Sequence, residues 1–108
     1  MTVSVGDLEL AALLAVVRLR EHAYGARVRR DLSERAQRDY SIGAIYTTLQ
    51  RLEDKGLVAS TMSEPTAVRG GRAKRLFRVT GAGETVVRRA RQEQAAFWRG
   101  VPSRLRTT

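Results

Sequence analysis

Ser41–Val58 reads SIGAIYTTLQRLEDKGLV. Ile42, Ile45, Leu49 and Leu52 recur at helical spacing, which predicts one buried stripe. Ser41 is placed to cap the start, and Gly56 stops the run. The opposite side carries Ser41, Ala44, Thr47, Thr48 and Arg51: small, polar and free of acid. Most surface helices mix charges of both signs there. A bare face that ends in arginine suits close approach to something large and negative; the bland reading is an ordinary exposed face.

Outward from this stretch, the chain organises itself around short helices. A first helix is predicted over Asp7–Arg20, with Ser4 and Asp7 spaced as a capping box and Leu10, Leu13, Leu14 and Val17 as its apolar stripe. Tyr24-Gly25 opens a second helix to about Gln37, with Val28 and Leu32 one turn apart. Past Gly56 the character changes. LVASTMS is β-prone, EPTAVRGGRA is rich in turn residues, and KRLFRVT alternates so that Arg75, Phe77 and Val79 share a face. This reads as a β-hairpin with a long basic tip. Thr80 can then cap a last helix, GAGETVVRRARQEQAAFWRG, before Pro102 and a polar tail expected to fray.

Composition narrows the class. The 108 residues suffice for one domain with a modest core. Six aromatics make that core mostly aliphatic, and the lack of cysteine removes disulfides and thiolate ligands and fits a cytosolic protein. LELAALLAVV, the longest apolar stretch, is too short for a membrane span, and no secretion signal is evident. Eighteen arginines and two lysines against eleven acids give a net charge of +9. An excess of planar, bidentate donors points to a polyanionic partner, although a solvated basic surface would have the same composition.

Three short helices followed by a hairpin form the winged helix-turn-helix pattern. The fold class is therefore mainly α with a small β-hairpin, followed by a C-terminal helix. In such proteins the recognition helix lies in the major groove, its apolar side resting on the other helices. Ala44, Thr47, Thr48 and Arg51 then face base edges: small side chains permit approach, threonine offers a hydroxyl and a methyl, and arginine pairs with guanine. Tyr46 is either a phosphate ligand through its hydroxyl or a packing residue. Arg69, Arg72, Lys74 and Arg75 bracket Gly70-Gly71 in the hairpin and can follow a phosphate backbone or enter a minor groove. Tyr24-Gly25 either exposes helix N-terminal amides to a phosphate or makes a tight turn.

These residues resemble the PadR family of bacterial transcriptional regulators. The resemblance rests on Tyr24-Gly25, on Gly43–Leu57 with Tyr46 inside it, and on Phe77-Arg78-Val79-Thr80 followed by Gly83, and it extends over about residues 8–98. It implies a homodimeric, usually repressing protein that binds double-stranded DNA in the bacterial cytoplasm, at the nucleoid, without a cofactor. The chain is similar to the short form, with a single C-terminal helix. Some members answer to small aromatic or drug-like effectors, and many control transporter or stress genes. On this reading residues 1–80 bind DNA, 81–101 dimerise and 102–108 form a flexible tail.

The dimer helix has its own pattern. Val87, Ala90, Gln94 and Phe97 recur at coiled-coil-like spacing, with Trp98 beside them, and a small winged domain has little core of its own for that stripe to cover. Two-fold pairing would set two recognition helices about 34 Å apart and select a near-palindromic site. Trp98 would lie at the seam, either packing there or lining an effector pocket. Catalysis has little support: one histidine, His22, stands at a helix end, and no metal-ligand set can be assembled around it. The competing binding reading is a basic RNA-binding or ribosome-associated module. RNA readers commonly carry stacking aromatics on strands, whereas Phe77 shares its phase with Val79, towards the core. A winged helix used only for protein contacts is a third reading.

Overall fold

A computed structural model describes residues 5–64 and 73–106. Four α-helices and one hairpin follow in the order α1 (Asp7–Leu19), α2 (Gly25–Ala36), α3 (Ile42–Asp54), β1 (Val58–Met62), β2 (Arg75–Val79) and α4 (Gly81–Trp98). Short 3-10 turns occupy Arg20–His22 and Ser103–Leu105. This is the winged helix arrangement anticipated from the sequence. The tip arginines Arg69 and Arg72 lie outside the described residues.

Each helix begins for a local reason. Ser41 Oγ accepts from the Ala44 N–H (3.1 Å) and Thr80 Oγ1 from the Gly83 N–H (3.1 Å), capping α3 and α4 as expected. The start of α1 differs from expectation. Its N-cap is Gly6, whose N–H donates to Glu9 Oε1 (3.2 Å), whereas Ser4, read from the sequence as half of a capping box, lies outside the described residues. At the far end of α3, Gly56 takes a φ of 75° and turns the chain into the hairpin.

The core is aliphatic, with Leu13, Val28, Ile45, Leu49, Leu52, Leu57 and Val58 fully buried and Phe77 closing it from the hairpin. On α1 the buried set is Ala12, Leu13, Ala15 and Val16, while Val17, expected inside, is exposed. The helix packs against α2, α3, β2 and α4 at once. It therefore buries a face that includes its alanines, which permit close approach, and not only the stripe of large residues.

β1 and β2 pair antiparallel, Val58 opposite Val79, Ser60 opposite Phe77 and Met62 opposite Arg75. Ala23 and Tyr24 add a partial third strand: the Phe77 N–H donates to the Ala23 carbonyl (2.8 Å), and Tyr24 bridges to Leu76. Thr80 ties the hairpin base to the end of α3, its N–H donating to the Leu57 carbonyl (3.1 Å) and its hydroxyl to the Gly56 carbonyl (2.7 Å). Gly83 sits directly on this junction. A Cβ there would lie 2.2 Å from the Leu57 carbonyl oxygen and 2.8 Å from Val79 Cγ1, so only glycine lets α4 start so close.

Beyond that contact α4 leaves the domain. Val86 and Val87 pack partly on the core, whereas every residue from Arg91 to Gly100 is exposed. The radius of gyration, 15.8 Å, accordingly exceeds the ~13 Å of a compact chain of this length.

Candidate nucleic-acid interface

α3 is divided sharply between its two sides. Ile45, Thr48, Leu49 and Leu52 are buried; Gly43, Ala44, Tyr46, Thr47, Gln50, Arg51 and Asp54 are exposed. Two expectations need correction. Thr48 is 5% exposed and its hydroxyl donates to the Ala44 carbonyl (2.7 Å), so it belongs to the packed side and cannot reach a base. Ile42, expected in the buried stripe, is 41% exposed, because the first turn of α3 runs past the packed part of the domain. The centre of the outer face is therefore Gly43, Thr47, Gln50 and Asp54, and Gln50 is the residue that sequence reasoning missed. The signal was present: Gln50 follows Thr47 by three residues, on the same side, whereas Thr48 is 100° further round.

The structure brings Tyr24, Gly25, Tyr46 and Lys74 together at one edge of this face. Gly25 is buried, and a Cβ on it would lie 2.5 Å from the Tyr46 ring and 2.8 Å from its hydroxyl. Glycine thus lets the tyrosine ring lie across the first turn of α2, while 47% of the residue stays open to solvent. The first turn of α2 contains no acid and no side-chain cap. Lys74 Nζ stands 4.1 Å above the Tyr24 ring, an exposed cation beside those helix-terminal amides. Ser41 is exposed at the start of α3, with its hydroxyl engaged in the cap.

At the opposite edge stands Arg51, exposed and close enough for its charge to act on Glu9. Burial works to raise the Glu9 pKa, but it is outweighed by the Lys55 ammonium (2.6 Å) and the Gly6 N–H, with a further contribution from Arg51, and the carboxyl stays below its ordinary range.

Arg75 does something other than expected. Its guanidinium pairs with Glu53, donates from Nε to Ser60 Oγ (3.0 Å) and from Nη2 to Gln50 Oε1 (3.2 Å), and lies over the Phe77 ring at 4.9 Å. The Ser60 hydroxyl donates to the other Glu53 oxygen (2.6 Å). That bond is the main reason the Glu53 pKa is lowered; it outweighs burial, and Arg75 adds to it. Arg75 is thus spent on a brace between the hairpin and α3 and is not a free phosphate ligand. Glu53, the acid that would most disturb a phosphate backbone, is neutralised in the same contact.

Residues 13–89 match the Transcriptional regulator PadR-like family. The chain belongs to that family. It is accordingly a DNA-binding transcriptional regulator and not an enzyme. A PadR family transcriptional regulator from Eggerthella lenta is 28% identical, covering 94% of this chain and 89% of its own, with a TM-score of 0.67. A PadR-like regulator from Bacillus cereus shares the fold at 22% identity and a TM-score of 0.72, covering 94% and 93% of the two chains. RosR of H. salinarum does so at 21% and 0.70, covering 95% and 86%. Among curated sequences none matches. Within the described residues of this PadR-like chain, no group of three metal-ligating side chains occurs and no helix is long and apolar enough to cross a membrane.

Proposed function

We propose that this PadR-like regulator is a homodimeric repressor that reads a near-palindromic operator in double-stranded DNA, at transporter or stress genes, in the bacterial cytoplasm and at the nucleoid. One observation carries the reading of sequence: the exposed side of α3 presents Thr47, Gln50 and Arg51 with no unneutralised acid before Asp54. Phosphates flanking the groove are met by Lys74, by Tyr46 and by the first turn of α2 at Tyr24-Gly25. Arg69 and Arg72 are assigned to the backbone or the minor groove from sequence alone. The RNA-binding alternative loses its stacking platform, since Phe77 is 2% exposed.

Dimerisation is assigned to α4. Ala90, Gln94, Phe97 and Trp98 continue the stripe that begins at Val87, where α4 still touches the core, and Phe97 and Trp98 are 68% and 44% exposed. Apolar side chains this open on a projecting helix call for a partner, and a second copy of the same helix is self-complementary. A small aromatic effector has a natural place in the cleft of about 390 Å³ between α1, β2 and α4, floored by Val16, Val79 and Val87. Wedged there, it would change the angle at which α4 leaves the DNA-binding unit.

The test is selection of duplexes from a random pool, followed by footprinting of the winner. Two related half-sites centred about 34 Å apart are expected. Arg51→Ala should cost on the order of 1–3 kcal/mol on the selected site and much less on random DNA. A pool without enrichment, or displacement from duplex by single-stranded RNA, would refute the reading.

A further inference from the structure

From the geometry around Gln50 we infer that this residue is a specificity determinant that reads an adenine in the major groove, and that Arg75 is the positioning residue that aims it. The inference rests on the proposed function and names which base one residue of that site recognises. A free glutamine on a helix surface turns about its terminal bond and offers oxygen and nitrogen in either orientation. Gln50 has no such freedom. Its Nε2 donates to Asp54 Oδ1 (2.9 Å), and its Oε1 accepts from Arg75 Nη2 (3.2 Å). A carboxylate only accepts and a guanidinium only donates, so exchanging the two ends of the amide would break both contacts at once.

The amide carries two N–H donors and two lone pairs, and these contacts use one of each. One N–H and one lone pair remain. Adenine presents an acceptor at N7 and a donor at N6 on its major-groove edge, the pair that a glutamine amide meets with two hydrogen bonds. Guanine offers two acceptors there and would leave the free lone pair of Oε1 facing another oxygen. Gln50 is exposed at the centre of the outer face, three residues after Thr47, where a base edge approaches most closely.

Arg75 is fit to aim the amide because it is itself held. Glu53, Ser60 and the Phe77 ring fix the guanidinium from three sides, and β2 carries it. Lysine at this position would keep the charge, yet its single ammonium lacks the planar fork that spans Glu53 and Gln50 together.

The experiment scans every base pair of the selected operator against the intact protein, Gln50→Ala and Arg75→Lys, measuring affinity and its salt dependence. For the intact protein, changing one particular A·T pair in each half-site should cost roughly 5- to 150-fold. Gln50→Ala should bind the unchanged operator that much more weakly and become indifferent at that pair alone. Arg75→Lys should show the same local indifference while its salt slope stays near that of the intact protein, a combination that lost charge or a uniform loosening of the fold does not produce. Equal loss on every sequence for Gln50→Ala, or undiminished discrimination in Arg75→Lys, overturns the assignment of the residue concerned. An intact protein that enriches no sequence overturns the proposed function, and this inference with it.

Discussion

The recognition helix and the C-terminal helix are built on opposite principles. α3 is buried along one side by Ile45, Leu49 and Leu52, and charged contacts tie its flanks to neighbours: Lys55 to Glu9 on α1, Glu53 to Arg75 on β2. α4 is held only through its first turns, at Gly83, Val86 and Val87, and then carries Phe97 and Trp98 into solvent. A helix that must place side chains against base edges loses affinity with every ångström of play. In the proposed dimer, the remaining contacts of α4 are supplied by its counterpart. The difference separates a finished half of the molecule from an unfinished one.

Truncation after Ala90 tests the separation most severely. The winged unit should keep its fold, since everything removed beyond that residue up to Gly100 is exposed. It should become monomeric by light scattering and lose about 100-fold or more in operator affinity, because the second half-site is no longer tethered. A truncated chain that stays dimeric and binds as before would break the comparison outright.

Gly83→Ala strikes the joint between the two halves. The added methyl meets a backbone oxygen that has no rotamer to escape into. Thermal unfolding should report a loss of about 1–3 kcal/mol, the usual cost of overpacking. A melting point within a degree of the parent would mean that the joint is slack.

Acid should loosen only the finished half. The pKa values of Glu9, Asp31 and Glu53 are all held down: for Glu9 and Asp31 burial is outweighed by the basic partners, and for Glu53 the Ser60 bond leads. A depressed carboxyl pKa stabilises the fold above the unfolded value and ceases to do so as pH falls through the folded one. Stability should therefore hold at neutral pH and drop below about pH 4. Asp31→Asn, which removes the partner of Arg18 and Arg35, should cost about 1 kcal/mol at neutral pH and shrink the acid-dependent drop. Chemical denaturation at pH 6 and pH 3 measures both, and an unchanged drop in the variant would remove Asp31 from the account.

Much of this was legible in the sequence because its causes are local. Ser41 and Thr80 cap their own helices, Gly56 turns at its own φ, and the stripe of α3 repeats within two turns. The errors arose where the cause lies elsewhere in the chain. Thr47 and Thr48 stand one 100° step apart at the border of the buried stripe, and the packing of α1 and α2 decides which of them is covered. Arg75 reads as a wing cation because nothing nearby in sequence opposes it, yet Glu53 waits 22 residues upstream and meets it only once the hairpin has folded back. Val17 yields its place to Val16 because α1 has neighbours on several sides, which periodicity alone does not reveal.

The tight seat of Gly83 also makes α4 a lever with a stiff root. Its 18 residues span about 27 Å, so a tilt of about 10° at the root carries the far end through roughly 5 Å. In the proposed two-fold pair the motion would run equally well in reverse: far ends clasped to each other would fix the angle at which both winged units hang. A displacement of that size exceeds the spacing of neighbouring base pairs, about 3.4 Å. A modest change in how the two levers cross would slide one reading head out of step with its half-site while the other stayed in place. Gearing of this kind turns small adjustments far from the DNA into the difference between a fitted and a misfitted operator.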